Sequence, residues 1–137
     1  MKRLLLIVLP LLLIVGCSKV EGQQQLIPFV EKKENGSIEI TYYKKTQNGI
    51  EMVKKEGYWR NGQKEFKKNY KDGELNGLYT WFHENGQKKT ERTYKNGEYD
   101  GLETKWYSNG QKQEESTYKD GKEISWKRWN QDGSVRE

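Results

Sequence analysis

The sequence predicts an all-β protein, built of repeated β-hairpins joined into one elongated, twisted antiparallel meander sheet. Three observations carry this. Asn-Gly-Gln-Lys occurs at Asn61–Lys64, Asn85–Lys88 and Asn109–Lys112, with a period of 24 residues. Tyr-Lys-Asp/Asn-Gly begins at Tyr70, Tyr94 and Tyr118, in step with it. The chain contains no Ala, while Tyr, Trp and Thr recur, and these suit a pleated surface. A fixed period of this length marks a repeat architecture.

Each repeat reads as two strands, for example Leu78 to His83 and Gln87 to Tyr94. Asn-Gly and Asp-Gly close hairpins because Gly takes positive φ freely and Asn or Asp tolerates it. Turn length then decides which side chains share a face. A three-residue Glu84-Asn85-Gly86 turn sets Phe82 and Tyr94 together; a two-residue turn would separate them. The three-residue turn gathers Leu78, Phe82 and Tyr94 on one face. It does the same for Leu102, Trp106 and Tyr118, and for Tyr58, Phe66 and Tyr70. Trp59, Tyr79, Trp81, His83 and Tyr107 are then expected on the opposite side. With Trp126, the residues Trp59, Tyr79, Trp81 and Tyr107 form the candidate binding face. Exposed aromatics of this kind serve either a partner surface or cross-strand packing that stiffens a single-layer sheet.

The flanks follow the same logic. Met1-Lys2-Arg3 and the apolar run Leu4 to Val15 read as a signal peptide over residues 1–16, with a signal helix. Residues 17–34 read as a flexible tether, interrupted by Leu26-Ile27-Pro28-Phe29-Val30. That run either packs on the first strand or forms an extended edge; Pro28 excludes a central strand. The repeat domain is expected over 35–137, with copies near 35–52, 53–76, 77–100, 101–121 and 122–137. The terminal copies are irregular, as capping of a repeat stack requires. About nine strands are expected.

Composition excludes several functions. Removing Lys2 and Arg3 lowers the formal net charge from +5 to +3, and the charges alternate in sign. This is not the footprint of a nucleic-acid binder. One Cys and one His exclude a disulfide framework and a Cys/His zinc site. His83 and Glu84 are strand neighbours pointing to opposite faces, so they form no dyad. No Gly-x-Ser-x-Gly and no phosphate loop occurs. No catalytic residue, metal or cofactor is expected, and the reading is non-enzymatic.

Two resemblances add to this. Ile14-Val15-Gly16-Cys17 resembles the bacterial lipobox, with Ile14 where Leu is common. It implies cleavage before Cys17, lipid on Cys17, export and anchoring to a membrane. Ser18 in place of Asp implies the outer membrane in a Gram-negative host. Gly-Leu-Tyr-Thr-Trp-Phe-His-Glu-Asn-Gly-Gln-Lys and its copy from Gly101 resemble the bacterial variant of the MORN repeat. The pattern is a Gly, an aromatic pair, Asn-Gly-x-Lys and Tyr-x-x-Gly. His83 and the missing leading Gly at Val53 depart from it. The resemblance implies a hairpin-repeat scaffold for contacts with proteins or membranes. Many bacterial members carry an antitoxin label, which implies a toxin as partner. Three functions follow: a membrane-tethered scaffold for a protein partner, an antitoxin or immunity protein, and a binder of cell-wall glycan.

Overall fold

The computed structural model describes residues 25–136. The signal helix, Cys17 and the first part of the tether lie outside them. Eleven strands form one open antiparallel sheet: β1 Leu26–Lys32, β2 Ile38–Thr46, β3 Gly49–Tyr58, β4 Lys64–Lys71, β5 Glu74–Leu75, β6 Gly77–Phe82, β7 Lys88–Lys95, β8 Glu98–Trp106, β9 Lys112–Lys119, β10 Lys122–Trp129 and β11 Val135–Arg136. The strand order is β1-β2-β3-β4-β6-β7-β8-β9-β10-β11, with β5 on β4. The two-residue β5 and β11 account for the excess over nine. The Leu26–Val30 run is the edge strand β1, so the sheet begins inside the stretch read as tether.

Turns of two kinds line the two borders of the sheet. Along one, His83 N–H donates to Gln87 O at 2.8 Å and Gly86 N–H donates to His83 O at 2.9 Å. The loop is therefore Glu84-Asn85-Gly86, with Gly86 at φ +85°. The same pair of bonds closes the loops ending at Gly36, Gly62, Gly110 and Gly133. Along the other border, Asp72, Asn96 and Asp120 take φ of 51°, 50° and 47°, each followed by a positive-φ Gly. Two successive positive φ values define the two-residue turn whose twist matches the flanking strands.

The three-residue turn is as the sequence predicts, but the face assignment drawn from it is wrong. Trp81 pairs with Thr90 and Phe82 with Lys88, so Lys89 is an unpaired bulge residue. Glu65 and Gln113 are bulged at the same place in the neighbouring copies. One extra residue inverts the alternation beyond it. Tyr94 therefore shares a face with Tyr79 and Trp81, not with Phe82 and Leu78. Phe66 pairs with Trp81 and joins them. Tyr118 sits opposite Gly101 on that same face, away from Trp106.

The aromatic face thus carries Phe66, Trp81, Tyr79, Tyr94, Tyr99 and Tyr118 in a chain of ring contacts, with centroids 4.8 to 6.5 Å apart. Edge and tilted ring pairs at such distances are favourable beyond their buried area. Phe66 and Tyr94 are its buried apolar residues. Gly57 makes room for Phe66: a Cβ there would collide with the ring. The reverse face carries Tyr58, Phe82, Trp106 and Trp129, with Lys64, Lys88 and Lys112 between them. Lys88 Nζ lies 5.5 Å from the Trp106 ring centroid and Lys112 Nζ 5.6 Å from that of Trp129. Such stacks let lysine stems cover apolar surface that, among the described residues, no second layer covers.

Candidate functional site

The loops with Asn-Gly-Gln hold the copies in line. Asn85 Oδ1 accepts from the Gln87 N–H at 3.1 Å, while its Nδ2 donates to Ser108 O in the next copy at 2.8 Å. Asn61 reaches Glu84 O and Asn109 reaches Gln131 O in the same way. Gln63, Gln87 and Gln111 lie against Gly86, Gly110 and Gly133 of the following loop. His83 and Tyr107 act at this border too. His83 Nε2 lies 3.0 Å from Trp106 O, and Tyr107 Oη donates to Trp129 O at 3.0 Å. So Tyr107, expected on a binding face, ties one copy to the next.

Of the five candidate aromatics, register places Tyr79, Trp81 and Trp126 on one face, while Trp59 and Tyr107 directly follow β3 and β8 at the loop border. That face is the one that also carries Phe66 and Tyr94. The five are spread from the end of β3 to β10, and of them Tyr79 and Trp81 form a ring pair, 6.1 Å apart at 31°. The Trp59 indole N–H is buried without a partner. Trp126 is 57% exposed and stacks with Arg128, 4.9 Å from its ring centroid.

The two faces differ in how they repeat. On the reverse face, Leu78, Thr80, Lys88, Glu91, Thr93 and Lys95 return 24 residues on as Leu102, Thr104, Lys112, Glu115, Thr117 and Lys119; Phe82 returns as Trp106. On the aromatic face, Tyr79 becomes Glu103, Trp81 becomes Lys105, Thr90 becomes Glu114 and Arg92 becomes Ser116. Gly77 and Tyr94 there do return, as Gly101 and Tyr118. Between these two copies the reverse face recurs, and the central positions of the aromatic face do not. Reading the sequence for aromatics passes over Lys89, Thr90 and Arg92. The signal that finds them is this loss of identity between two otherwise matching copies.

Those non-recurring residues form a cavity. Tyr79, Trp81, Lys89, Thr90 and Arg92 line a space of about 220 Å³, open to solvent. Trp81 is 38% exposed beside it. Lys68 lies 4.6 Å from the Phe66 ring centroid and 5.0 Å from that of Tyr79. Burial pushes the Tyr79 phenol up to about 12 and the Lys68 ammonium below its usual value. Burial of Arg92 opposes its charge, but its hydrogen bond and ion pair with Glu103 outweigh that and raise its pKa. Arg92 also donates to Tyr99 Oη at 2.8 Å.

The equivalent ground one copy on is closed. Lys105 donates to Glu114 Oε1 at 2.7 Å, and Arg128 holds Glu114 Oε2 at 2.7 Å. Glu103, 3% exposed, lies between Arg92 and Lys105, above the buried Ser116. Charges paired in this way satisfy one another and leave little for a ligand.

One sheet of stacked hairpins, with linked loops and one varied face, defines a repeat scaffold. Residues 75–96 and 99–120 each match the MORN repeat variant, as two adjacent repeats. No curated protein and no solved structure matches the chain. MORN repeats are in general modules for contacts with proteins or membranes, and the family is not an enzyme family. Among the described residues, no cluster of three metal-binding side chains occurs.

Proposed function

We propose that this chain is a non-enzymatic scaffold, exported and held at a membrane by lipid on Cys17, that captures a protein partner on its aromatic face. One observation carries the reading: between residues 77–97 and 101–121 the aromatic face changes while the reverse face does not. A surface that only stabilises the sheet has no reason to vary where its framework is constant. Trp, Tyr and Arg, the residue types on which binding energy concentrates, meet at the varied positions. The lipobox-like Ile14-Val15-Gly16-Cys17 supports the anchor. A toxin as the partner, or cell-wall glycan as the ligand, is a competing form of the same scaffold.

The experiment is chemical crosslinking in cells, followed by purification of the lipidated protein. The reading expects one enriched envelope protein, lost with Trp81→Ala, and palmitate labelling lost with Cys17→Ser. Retained labelling in Cys17→Ser contradicts the anchor. Capture unchanged by Trp81→Ala contradicts the face.

A further inference from the structure

We propose that the Tyr79–Trp81–Arg92 cavity receives an acidic segment of the partner, a carboxylate beside an apolar side chain. The inference rests on the aromatic face being the recognition face, and adds the chemistry of what docks there. The floor is apolar: the Trp81 and Tyr79 rings, backed by Phe66 at 6.5 Å from Trp81. Its surroundings are cationic. Lys89 and Lys68 make no ion pair among the described residues, and Arg92 offers its remaining guanidinium edge.

The nearby carboxylates are mostly taken. Glu103 is held by Arg92, Glu39 by Lys33 and Lys55, and Glu91 by Lys88 on the reverse face. Glu65, on the bulge of β4, is the remaining acid whose charge reaches Lys68 and Tyr79. An apolar floor ringed by surplus cations complements an apolar group next to a carboxylate, and charge complementarity of this kind selects partners. The bulge supplies one of these cations. Lys89 takes no part in the ladder, and its counterparts are Glu65 and Gln113, so the bulge fixes a position and not a charge. One copy on, Glu103, Lys105, Glu114 and Arg128 neutralise each other, so the ladder of copies holds one open cationic station here.

The test is selection from a random twelve-residue peptide library on phage, against the full chain in detergent micelles. The expected result is enrichment of peptides with Asp or Glu next to Leu, Ile or Phe. Enrichment should fall at least tenfold with Trp81→Ala. Lys89→Glu, at an exposed bulge that no strand pairing needs, should remove the preference for acidic residues in a folded protein. Enrichment of neutral or basic peptides, or an acidic preference untouched by Lys89→Glu, overturns the proposal. Peptides that depend on Trp81 without being acidic overturn it while leaving the scaffold reading intact. Peptides lost with Leu78→Glu and Leu102→Glu but not with Trp81→Ala place recognition on the reverse face and overturn both. Failure to enrich any peptide also overturns it, including when an acidic oligosaccharide perturbs the Trp81 indole resonance instead.

Discussion

The two faces of this sheet obey different constraints, although they share every strand. The reverse face repeats nearly letter for letter between 77–100 and 101–121, and its rings alternate with lysines at fixed positions. The aromatic face keeps Gly77 and Tyr94 but replaces a Tyr-Trp-Arg surface by a Glu-Lys-Glu network one copy later. Among the described residues neither face of this single-layer sheet is buried under another layer. Stability therefore comes from neighbour contacts along the sheet and from the loop ladder. Those contacts need a few fixed positions per copy. The rest are free to vary without loss of the fold, and between 77–97 and 101–121 they vary on the aromatic face.

Substitutions can break or sharpen this contrast. The largest loss is expected from Tyr94→Ala. This fixed ring is 8% exposed and touches Tyr79 and Tyr99. Truncating such a ring costs about 3 kcal/mol or more in urea unfolding. Leu78→Ala on the reverse face, at a residue 44% exposed, should cost under about 1 kcal/mol. A reversed order would mean that the ring chain through Tyr94 is not what holds the sheet.

Gly86→Val comes next. It forces a branched side chain to φ +85°, with its Cβ 2.9 Å from Gln63 Oε1. A loss of about 1–2 kcal/mol is expected by thermal melting. No change would mean that the loop relaxes without the Gln contact.

On the reverse face, acid should act through Glu56. Glu56 accepts from Tyr42 and Lys64 and lies near Lys54. Burial raises its pKa, but these partners outweigh burial and bring it down to about 2. A carboxylate held below its ordinary 4.5 stabilises fully above that value and loses its contribution as pH falls towards 2. The urea midpoint should therefore drop between pH 5 and 2, and less so in Glu56→Gln. Equal slopes in both proteins would remove Glu56 from the account.

The smallest effect belongs to Asn85→Asp. It keeps the Oδ1 acceptor for Gln87 but removes the Nδ2 donor to Ser108 O. The expected cost is about 0.5–1 kcal/mol, measured by urea unfolding. The loop at Asp132 has Asp at this position and keeps the acceptor, with the Ser134 N–H donating to Asp132 Oδ1 at 2.9 Å.

Much of this was legible in the sequence, for reasons specific to particular residues. The period and the hairpins follow from Asn and Gly, whose backbone preferences are local; the three-residue loop was chosen because it gathers Leu78, Phe82 and Tyr94 on one face, so the loop is right although that grouping is not. Gln87 and the Asn85 side chain amide gave no local sign of linking copies, because that role depends on the next loop. The bulge at Lys89 was invisible, since Glu65, Lys89 and Gln113 share no residue type. Missing it placed Tyr94 on the wrong face and set Tyr79 and Trp81 apart from Phe66. The candidate aromatics also divide by surroundings that their spacing does not reveal. Tyr79 and Trp81 line one cavity, Trp59 lines another with Arg60, Asn61 and Glu84 at the loop border, Tyr107 ties loops together, and Trp126 stands elsewhere on the face of Tyr79 and Trp81.

The contrast is tested most directly by converting one copy into the next on the aromatic face alone. Tyr79→Glu/Trp81→Lys gives copy 77–100 the residues that copy 101–121 carries, and places a carboxylate at position 79 beside the free ammonium of Lys68. The measurement is partner capture by crosslinking, on protein whose circular dichroism still shows the sheet. The account predicts a folded protein that no longer captures its partner, while Phe82→Trp, the same conversion on the reverse face, captures normally. Capture retained in the doubly substituted protein, with capture lost in Phe82→Trp, would contradict it.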